Sequence, residues 1–270
     1  MVARLRVAVI GAGKIGQAIA EGLIKAGYSV TATRRRTREI KHLERLGVAV
    51  TKDNKKASSE ADLIIISVKP KDVRSILREI RGEVKGKVVI SVAAAITIDH
   101  MKEVCPEALF VRVMPNITVI VQESLMAYCT DRELTPEVKD MVKKVLEALG
   151  RPVEVEEPQM DAVTALNGCA PAYLSVILEA LTYAGLEVGL SKELALLSAA
   201  QAMVGTGKLI LEKGKSPHEV RDMVTTPGGV TIEGLLELER APIRYTIMRA
   251  VKKATLKSRR ISETIERGTE

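Results

Sequence analysis

Tryptophan is absent from the 270 residues, phenylalanine occurs once, at Phe110, and tyrosine five times. Surfaces that bind single-stranded nucleic acid use aromatic side chains as stacking platforms, so the net charge of +7 is not read as a nucleic-acid footprint. Histidine is limited to His42, His100 and His218, and cysteine to Cys105, Cys129 and Cys169. Three thiols cannot all pair, and none stands in a C-x-x-C or C-x-x-H spacing, which argues against a disulfide framework and against a zinc site. No metal is expected. A reducing compartment suits such thiols, and the cytoplasm is the expected location. No uninterrupted apolar run reaches the about 18 residues needed to cross a bilayer. Met1–Arg6 leads directly into a strand and not into a signal sequence, so neither membrane insertion nor secretion is expected.

What is present is apolar material, 46% of residues, enough for a sizeable core. Arg4–Ile10 reads as a buried strand, and Gly11 opens a glycine-rich turn into an amphipathic helix ending near Gly27. Strand-like runs follow at Tyr28–Thr33, Val48–Val50, Leu63–Val68, Val88–Val92, Leu109–Met114 and Ser124–Cys129, with a polar helix over Thr37–Leu46 and another helix over Thr135–Leu149. Strands alternating with helices imply an α/β class, here an N-terminal Rossmann domain with a doubly wound parallel sheet. From Pro158 to Ile265 the period is helical, with breaks at Gly189, Gly214, Pro227-Gly228-Gly229 and Pro242. Ser191 reads as an N-cap, and Ser216-Pro217-His218-Glu219 as a capping box with proline at the first helical position. The boundary is expected in the acidic segment Glu154–Glu157, giving domains 1–157 and 158–270, the second all-helical. Its stretch Leu194–Ala200 is apolar over more than one stripe, so a second chain is expected to cover the excess.

Gly11-Ala12-Gly13-Lys14-Ile15-Gly16 matches G-x-G-x-x-G after a strand ending at Ile10 and at the opening of a helix. In that setting glycines let the backbone approach a pyrophosphate at a helix N-terminus; the plainer alternative is a structural tight turn. NAD-binding folds place an acid at the end of the second strand, but here that strand ends Thr33-Arg34-Arg35-Arg36 and no acid appears until Glu39. Guanidinium forks suit a 2′-phosphate. NADPH is therefore the expected cofactor, with NADH as the alternative, although three consecutive arginines cannot all face one ligand. Val68-Lys69-Pro70 lies at the carboxyl edge of its strand, where open α/β sheets bind ligands, and Lys69 either meets phosphate or steadies a loop.

In the second half, Thr225-Thr226-Pro227-Gly228-Gly229-Val230-Thr231 makes a turn with exposed amides ahead of a helix beginning near Val230, a setting suited to a carboxylate. The alternative is an ordinary turn between helices, capped by Thr231. Asn167-Gly168-Cys169-Ala170-Pro171-Ala172-Tyr173 interrupts a helix with small residues and a proline, as close approach of another backbone or a ligand would require. Cys169 has no histidine partner in the sequence and reads as an inert thiol. Between Lys144 and Lys192 there is neither lysine nor histidine, so this region offers no ordinary general acid for an alcohol or ketone. A protonated imine already carries the charge that attracts hydride and mainly needs orientation.

Together these residues resemble the pyrroline-5-carboxylate reductase family. The matching pieces are Gly11–Gly16, Ser67–Pro70, Val111–Asn116, Asp161–Leu166 with Gly168 and Pro171–Tyr173, and Asp222–Thr231. The resemblance implies NADPH-dependent hydride transfer to C5 of 1-pyrroline-5-carboxylate, giving L-proline as the last step of its biosynthesis. It implies that Thr231 and Thr226 are the catalytic-loop hydroxyls, and that Glu157, Gly229, Val230 and Thr231 bind substrate. The cofactor would be met by Ile10, Gly11, Ala12, Gly13, Lys14, Ile15, Gly16, Arg34, Arg36, Asn54, Ser67, Val68, Lys69, Pro70, Ala93, Ala94 and Met223. The helical half would bind substrate and form a homodimer, assembled further into rings. Asn167, Cys169 and Ala170 depart from the family's Ser-Gly-Ser-Gly pattern, and Thr226 replaces a serine, so a related cyclic imine stays open as substrate. Two other readings also stay open. A β-hydroxyacid or glycerol-phosphate dehydrogenase would place a lysine on the long substrate helix, and a non-catalytic NADP-binding scaffold would make the Pro-Gly-Gly loop incidental.

Overall fold

The structure is a computed structural model that describes residues 4–266; Met1–Ala3 and residues 267–270, the outer ends of the two expected domains, lie outside the described residues. The chain divides into two compact units, one running to Cys169 and resuming at Lys253, the other Ala170–Lys252.

The first unit contains an eight-stranded sheet in the order β3-β2-β1-β4-β5-β6-β7-β8. The strands are β1 Arg6–Ile10, β2 Ser29–Thr33, β3 Ala49–Thr51, β4 Leu63–Ile66, β5 Val88–Ser91, β6 Leu109–Met114, β7 Ser124–Thr130 and β8 Gly150–Glu154. Strands β1 to β6 pair in parallel, with Val7 opposite both Val30 and Leu63. Beyond this doubly wound parallel core, β7 runs antiparallel to β6, with Val111 opposite Thr130. Strand β8, which pairs in parallel with β7, was not expected. It contains Pro152, which cannot donate to a ladder and is tolerated because β8 is an edge.

Alternate residues of each strand enter separate cores on the two faces. Val7, Val9, Leu63 and Ile65 join Ile19 and Leu23 of α1 (Lys14–Lys25) and Val142 and Leu146 of the later helix Pro136–Glu147. Ala8, Ile10, Ile64 and Ile66 face the other side. There the sheet is covered by α2 (Asn54–Glu60), by Val73, Ile76, Leu77 and Ile80 of α3 (Pro70–Ile80), and by α4 (Ile98–Lys102). Helix Pro136–Glu147 is α5. The polar segment Thr37–Leu46 winds as 3₁₀ turns and not as an α-helix. Its two buried residues, Ile40 and Leu43, stand three apart and so share a face at three residues per turn.

The first unit continues past the acidic segment Glu154–Glu157 as far as Cys169. After α6 (Met160–Val163), residues Thr164–Gly168 form a π-helical turn. The Asp161 carboxylate accepts hydrogen bonds from Ser258 Oγ at 2.6 Å and Ser262 Oγ at 3.2 Å, which ties the end of the last helix to this unit.

The second unit consists of α7 (Ala170–Glu187), α8 (Lys192–Lys213), α9 (Pro217–Met223), α10 (Val230–Arg240) and the start of α11 (Ile243–Glu266). Ser191 caps α8 through the Leu194 N–H, and Ser216 with Glu219 forms the capping box of α9. The box holds the Glu219 carboxyl down at about 2, chiefly through the Ser216 backbone N–H, then its hydroxyl and Lys215. Helices α7 and α8 leave Val176, Leu181, Leu197 and Val204 exposed. By length and composition, two helical segments, Glu157–Glu187 and Lys192–Lys213, could cross a membrane. Neither holds an uninterrupted apolar run of that length. Alanine, glycine, serine and threonine interrupt the strongly apolar runs without adding charge, so a search for uninterrupted runs overlooks them.

Candidate active site

Thr33 O at the end of β2 accepts hydrogen bonds from the Gly11 and Ala12 N–H groups at 3.2 and 2.8 Å, bending the chain sharply after β1. The three fingerprint glycines then meet three different constraints. Gly11 has φ +87°, and a Cβ there would lie 2.3 Å from Val68 Cγ1. At Gly16 a Cβ would stand 2.7 Å from the Gly11 carbonyl oxygen. At Gly13 a Cβ would meet nothing within 4 Å. Gly13 is also the N-cap of α1 and offers no side-chain bond to its first turn, so the helix N-terminus opens onto free space, as a pyrophosphate needs. That space is a 280 Å³ cleft lined by Gly13, Lys14, Ile15, Ser67, Val68, Lys69, Val92 and Pro115. The residues present fit a dinucleotide.

The flanks of the cleft come from adjoining strand ends. The Ser67 N–H donates to Ile10 O at 2.8 Å. Lys69 caps α3 with an exposed side chain, followed by Pro70 at the first helical position. Buried Thr33 donates its hydroxyl to Asn54 Oδ1 at 2.6 Å, and Asn54 Nδ2 donates to both oxygens of Glu79. Arg34 Nη1 donates to Ala12 O at 2.6 Å, which brings its guanidinium against the glycine turn, and Nη2 pairs with Glu39. Arg36, more exposed, pairs with the same carboxylate at 3.6 Å. The buried Ala93 N–H donates to Ser91 Oγ at 3.3 Å in the turn after β5, and Ala94 is half-buried beside it.

In the second unit, the Gly229 N–H donates to Thr226 O at 3.0 Å, closing a turn with Pro227 second and Gly228, at φ +68°, third. That is the type II pattern, which needs a positive φ at its third residue. A Cβ on Gly229 would lie 2.4 Å from Thr226 Oγ1, so the threonine hydroxyl occupies the space that only glycine leaves. Gly229 is the N-cap of α10 and makes no side-chain cap bond. Val230 is 92% exposed. The first amides of α10 are thus unpaired within the helix, and Thr231, half-buried in the first turn, stands inside the helix and does not cap it. This excludes the alternative of a Thr231-capped turn. Thr225 donates its hydroxyl to Arg221 O at 2.7 Å, and Met223, at the end of α9, is exposed.

Some placements were not foreseen. Glu157 Oε1 accepts from the Ile98 N–H at 2.9 Å and from Arg112 Nη1 at 3.3 Å, so one carboxylate oxygen of the expected substrate residue holds the start of α4 and a buried arginine. Asn167 Nδ2 donates to Met114 O at 3.1 Å and to Leu125 O at 3.0 Å, while Asn116 Nδ2 donates to Asn167 Oδ1 at 2.9 Å. The family's serine could not span all three partners, and the amide explains the departure at this position. Burial pushes the Cys129 thiol up to about 12, and the Cys105 thiol is also raised, by burial first. Neither is a poised nucleophile.

Residues 157–261 match the family model described as pyrroline-5-carboxylate reductase dimerisation, and residues 6–95 match the model described as NADP oxidoreductase, coenzyme F420-dependent. A pyrroline-5-carboxylate reductase of Methanosarcina acetivorans is 36% identical over 265 residues, which cover 96% of this chain and 98% of that one. The solved structure of a pyrroline-5-carboxylate reductase from Coxiella burnetii superimposes with a TM-score of 0.88 at 28% identity, covering 94% of this chain and 97% of that chain. The Plasmodium falciparum pyrroline carboxylate reductase, solved with NADP bound, gives 0.84 at 28% identity over 96% and 98% of the two chains.

Proposed function

The chain belongs to the pyrroline-5-carboxylate reductase family, and from that premise we propose how its residues divide the NADPH-dependent reduction of 1-pyrroline-5-carboxylate to L-proline. Residues 1–157 carry the cofactor and 158–270 the substrate and the subunit interface. When bound, NADPH supplies the hydride. Gly13 and the first turn of α1 take the pyrophosphate, with Lys69 on the cleft wall. Asn54, Ala93, Ala94 and Met223 complete the cofactor set. The amides of Val230 and Thr231 hold the substrate carboxylate, because the bare N-cap at Gly229 leaves them free, and this observation carries the reading. The Thr231 hydroxyl bonds the ring nitrogen, Thr226 shapes the turn behind it, and Glu157 borders the substrate while fixing Ile98 and Arg112. An imine needs no lysine or histidine from the Lys144–Lys192 interval, which contains neither between its ends. Proline-dependent reduction of NADP⁺ at alkaline pH tests the reading, since neither an alcohol dehydrogenase nor a binding scaffold would show it.

The chain acts as a homo-oligomer. We assign the basic unit as a dimer that joins into rings, in the cytoplasm and away from membranes and nucleic acid. Support comes from the apolar residues left exposed on α7 and α8, which a second copy would cover. Light scattering across a dilution series is expected to show folding lost together with the dimer; a folded monomer at the lowest concentration would contradict this.

Arg34 and Arg36 both lean on Glu39, and this shared acid sets the cofactor preference. Replacing both arginines by alanine is expected to raise KM for NADPH by about 10- to 150-fold, the worth of one charged hydrogen bond of roughly 1.5–3 kcal/mol, and to leave KM for NADH nearly unchanged. Glu39→Gln frees the guanidiniums and is expected to shift the preference further toward NADPH. Steady-state kinetics with each cofactor reads both; an equal rise for NADH in the double variant would contradict the assignment.

A further inference from the structure

Helix α3 presents three faces, and the active-site reading uses only one flank. Val73, Ile76, Leu77 and Ile80 are buried in the core. The flank bearing Glu79 is joined to Asn54 on the cofactor side by bonds of 3.1 and 3.2 Å. The opposite flank carries Lys71, Arg74 and Arg78, whose spacing of three and four residues puts them on one stripe. They border a 540 Å³ cavity completed by Pro70, Ile96, His100 and Ile265. Arg74 is fixed there. Its Nη2 donates to Glu103 Oε2 at 3.1 Å, its Nη1 lies 3.5 Å from Nε2 of the buried His100, and its Nε is buried with no hydrogen-bond partner. Among the described residues Glu103 is the one acid paired with this trio.

Three cations on about two turns of helix, balanced by a single carboxylate, repel one another unless an anion lies between them. Guanidinium forks favour phosphate oxygens, and a lysine completes such a site as a point charge. The remaining wall, Pro70, Ile96 and Ile265, is apolar and suits the carbon body of a ligand. The volume lies in the about 300–1,000 Å³ range of small-molecule sites. We infer that this cavity is a second ligand site, beside the cofactor cleft, for a small organic phosphate whose phosphoryl group meets Lys71, Arg74 and Arg78. The site adjoins the cofactor cleft at Pro70, but Lys71, Arg74 and Arg78 lie outside that cleft's lining, so the phosphoryl group can bind while the cofactor is in place.

Phenyl phosphate is the probe, titrated calorimetrically into the full-length enzyme saturated with NADP⁺, so that the cofactor loop is closed to it. One equivalent is expected to bind. Lys71→Ala/Arg78→Ala removes two exposed side chains and is expected to weaken binding by at least about tenfold, leaving NADP⁺ affinity and proline oxidation unchanged. Lys143→Ala/Arg151→Ala, remote on α5 and β8, lowers the net charge equally and is expected to change nothing. Absence of binding with NADP⁺ present, unchanged affinity in the α3 variant, or equal weakening in both variants would overturn the site.

Discussion

Gly13→Glu is expected to abolish NADPH binding and activity while leaving the Tm of the cofactor-free protein nearly unchanged. The backbone at Gly13 has φ −75° and a Cβ would meet nothing within 4 Å, so the folded protein accommodates a side chain there. The bound cofactor does not, because that free space lies at the bare N-terminus of α1 where a pyrophosphate would rest. A carboxylate would both fill the space and oppose the phosphate charge, and a loss of about 3 kcal/mol or more exceeds a hundredfold in Kd. The neighbouring glycines should behave in the opposite way. Gly16→Ala places a methyl 2.7 Å from the Gly11 carbonyl oxygen, a clash with backbone that cannot be relieved by a rotamer change. It should lower stability by about 1–3 kcal/mol. Thermal melts and a fluorescence titration with NADPH distinguish the two outcomes. Gly13→Glu binding NADPH with the parental affinity would show that the turn is structural only.

That contrast among three glycines was partly legible in the sequence. The spacing of the motif announced a turn between a strand and a helix, and the residue types at Ser191 and Ser216 announced caps that the structure reproduces. Such features depend on neighbours a few residues away, and local chemistry decides them. Strand β8 was missed because its pairing with β7 is a relation between Gly150–Glu154 and residues more than twenty positions earlier, and its own composition, with Gly150 and Pro152, argues against a strand. The 3₁₀ winding of Thr37–Leu46 was missed because its apolar residues Ile40, Leu43 and Leu46 stand three apart, a spacing that one face of an α-helix also accommodates.

The roles of Asn167 and Glu157 lay further from view. An asparagine in place of serine reads as a change of pocket chemistry. In the structure its amide bridges the ends of β6 and β7, through Met114 O and Leu125 O, to the π-helical turn. The signal was present in Asn116, the last residue of the Val111–Asn116 motif, whose amide requires a partner when half-buried. Likewise, a buried arginine in the middle of a strand needs an acid. Arg112, 3% exposed on β6, marked in advance that some carboxylate had to reach it, and Glu157 is that residue.

Thr231→Ala is expected to lower kcat by about 10- to 150-fold, the range that corresponds to one lost hydrogen bond to a charged group, roughly 1.5–3 kcal/mol. The structure sharpens the expectation by separating the side chain from the fold. Gly229, and not Thr231, is the N-cap of α10, so removing the hydroxyl does not uncap the helix. The turn is held by the Gly229 N–H bond to Thr226 O and by the positive φ of Gly228, neither of which involves residue 231. Alanine also retains the backbone amide. The carboxylate should therefore still be held by Val230 and residue 231 in ground and transition states alike, and KM should change less than kcat. In the proposed mechanism the hydroxyl would act separately from the amides, following the ring nitrogen as it changes from a planar iminium to a pyramidal amine. Thr231→Ser keeps that oxygen and is expected to retain most activity. Gly229→Ala should damage both parameters, because its methyl would collide with Thr226 Oγ1 and displace the amides. Steady-state kinetics in the direction of proline formation, with circular dichroism to verify folding, measures all three. If folded Thr231→Ala turns over 1-pyrroline-5-carboxylate at the parental kcat, the hydroxyl has no part in the reaction and the turn serves only to position the carboxylate.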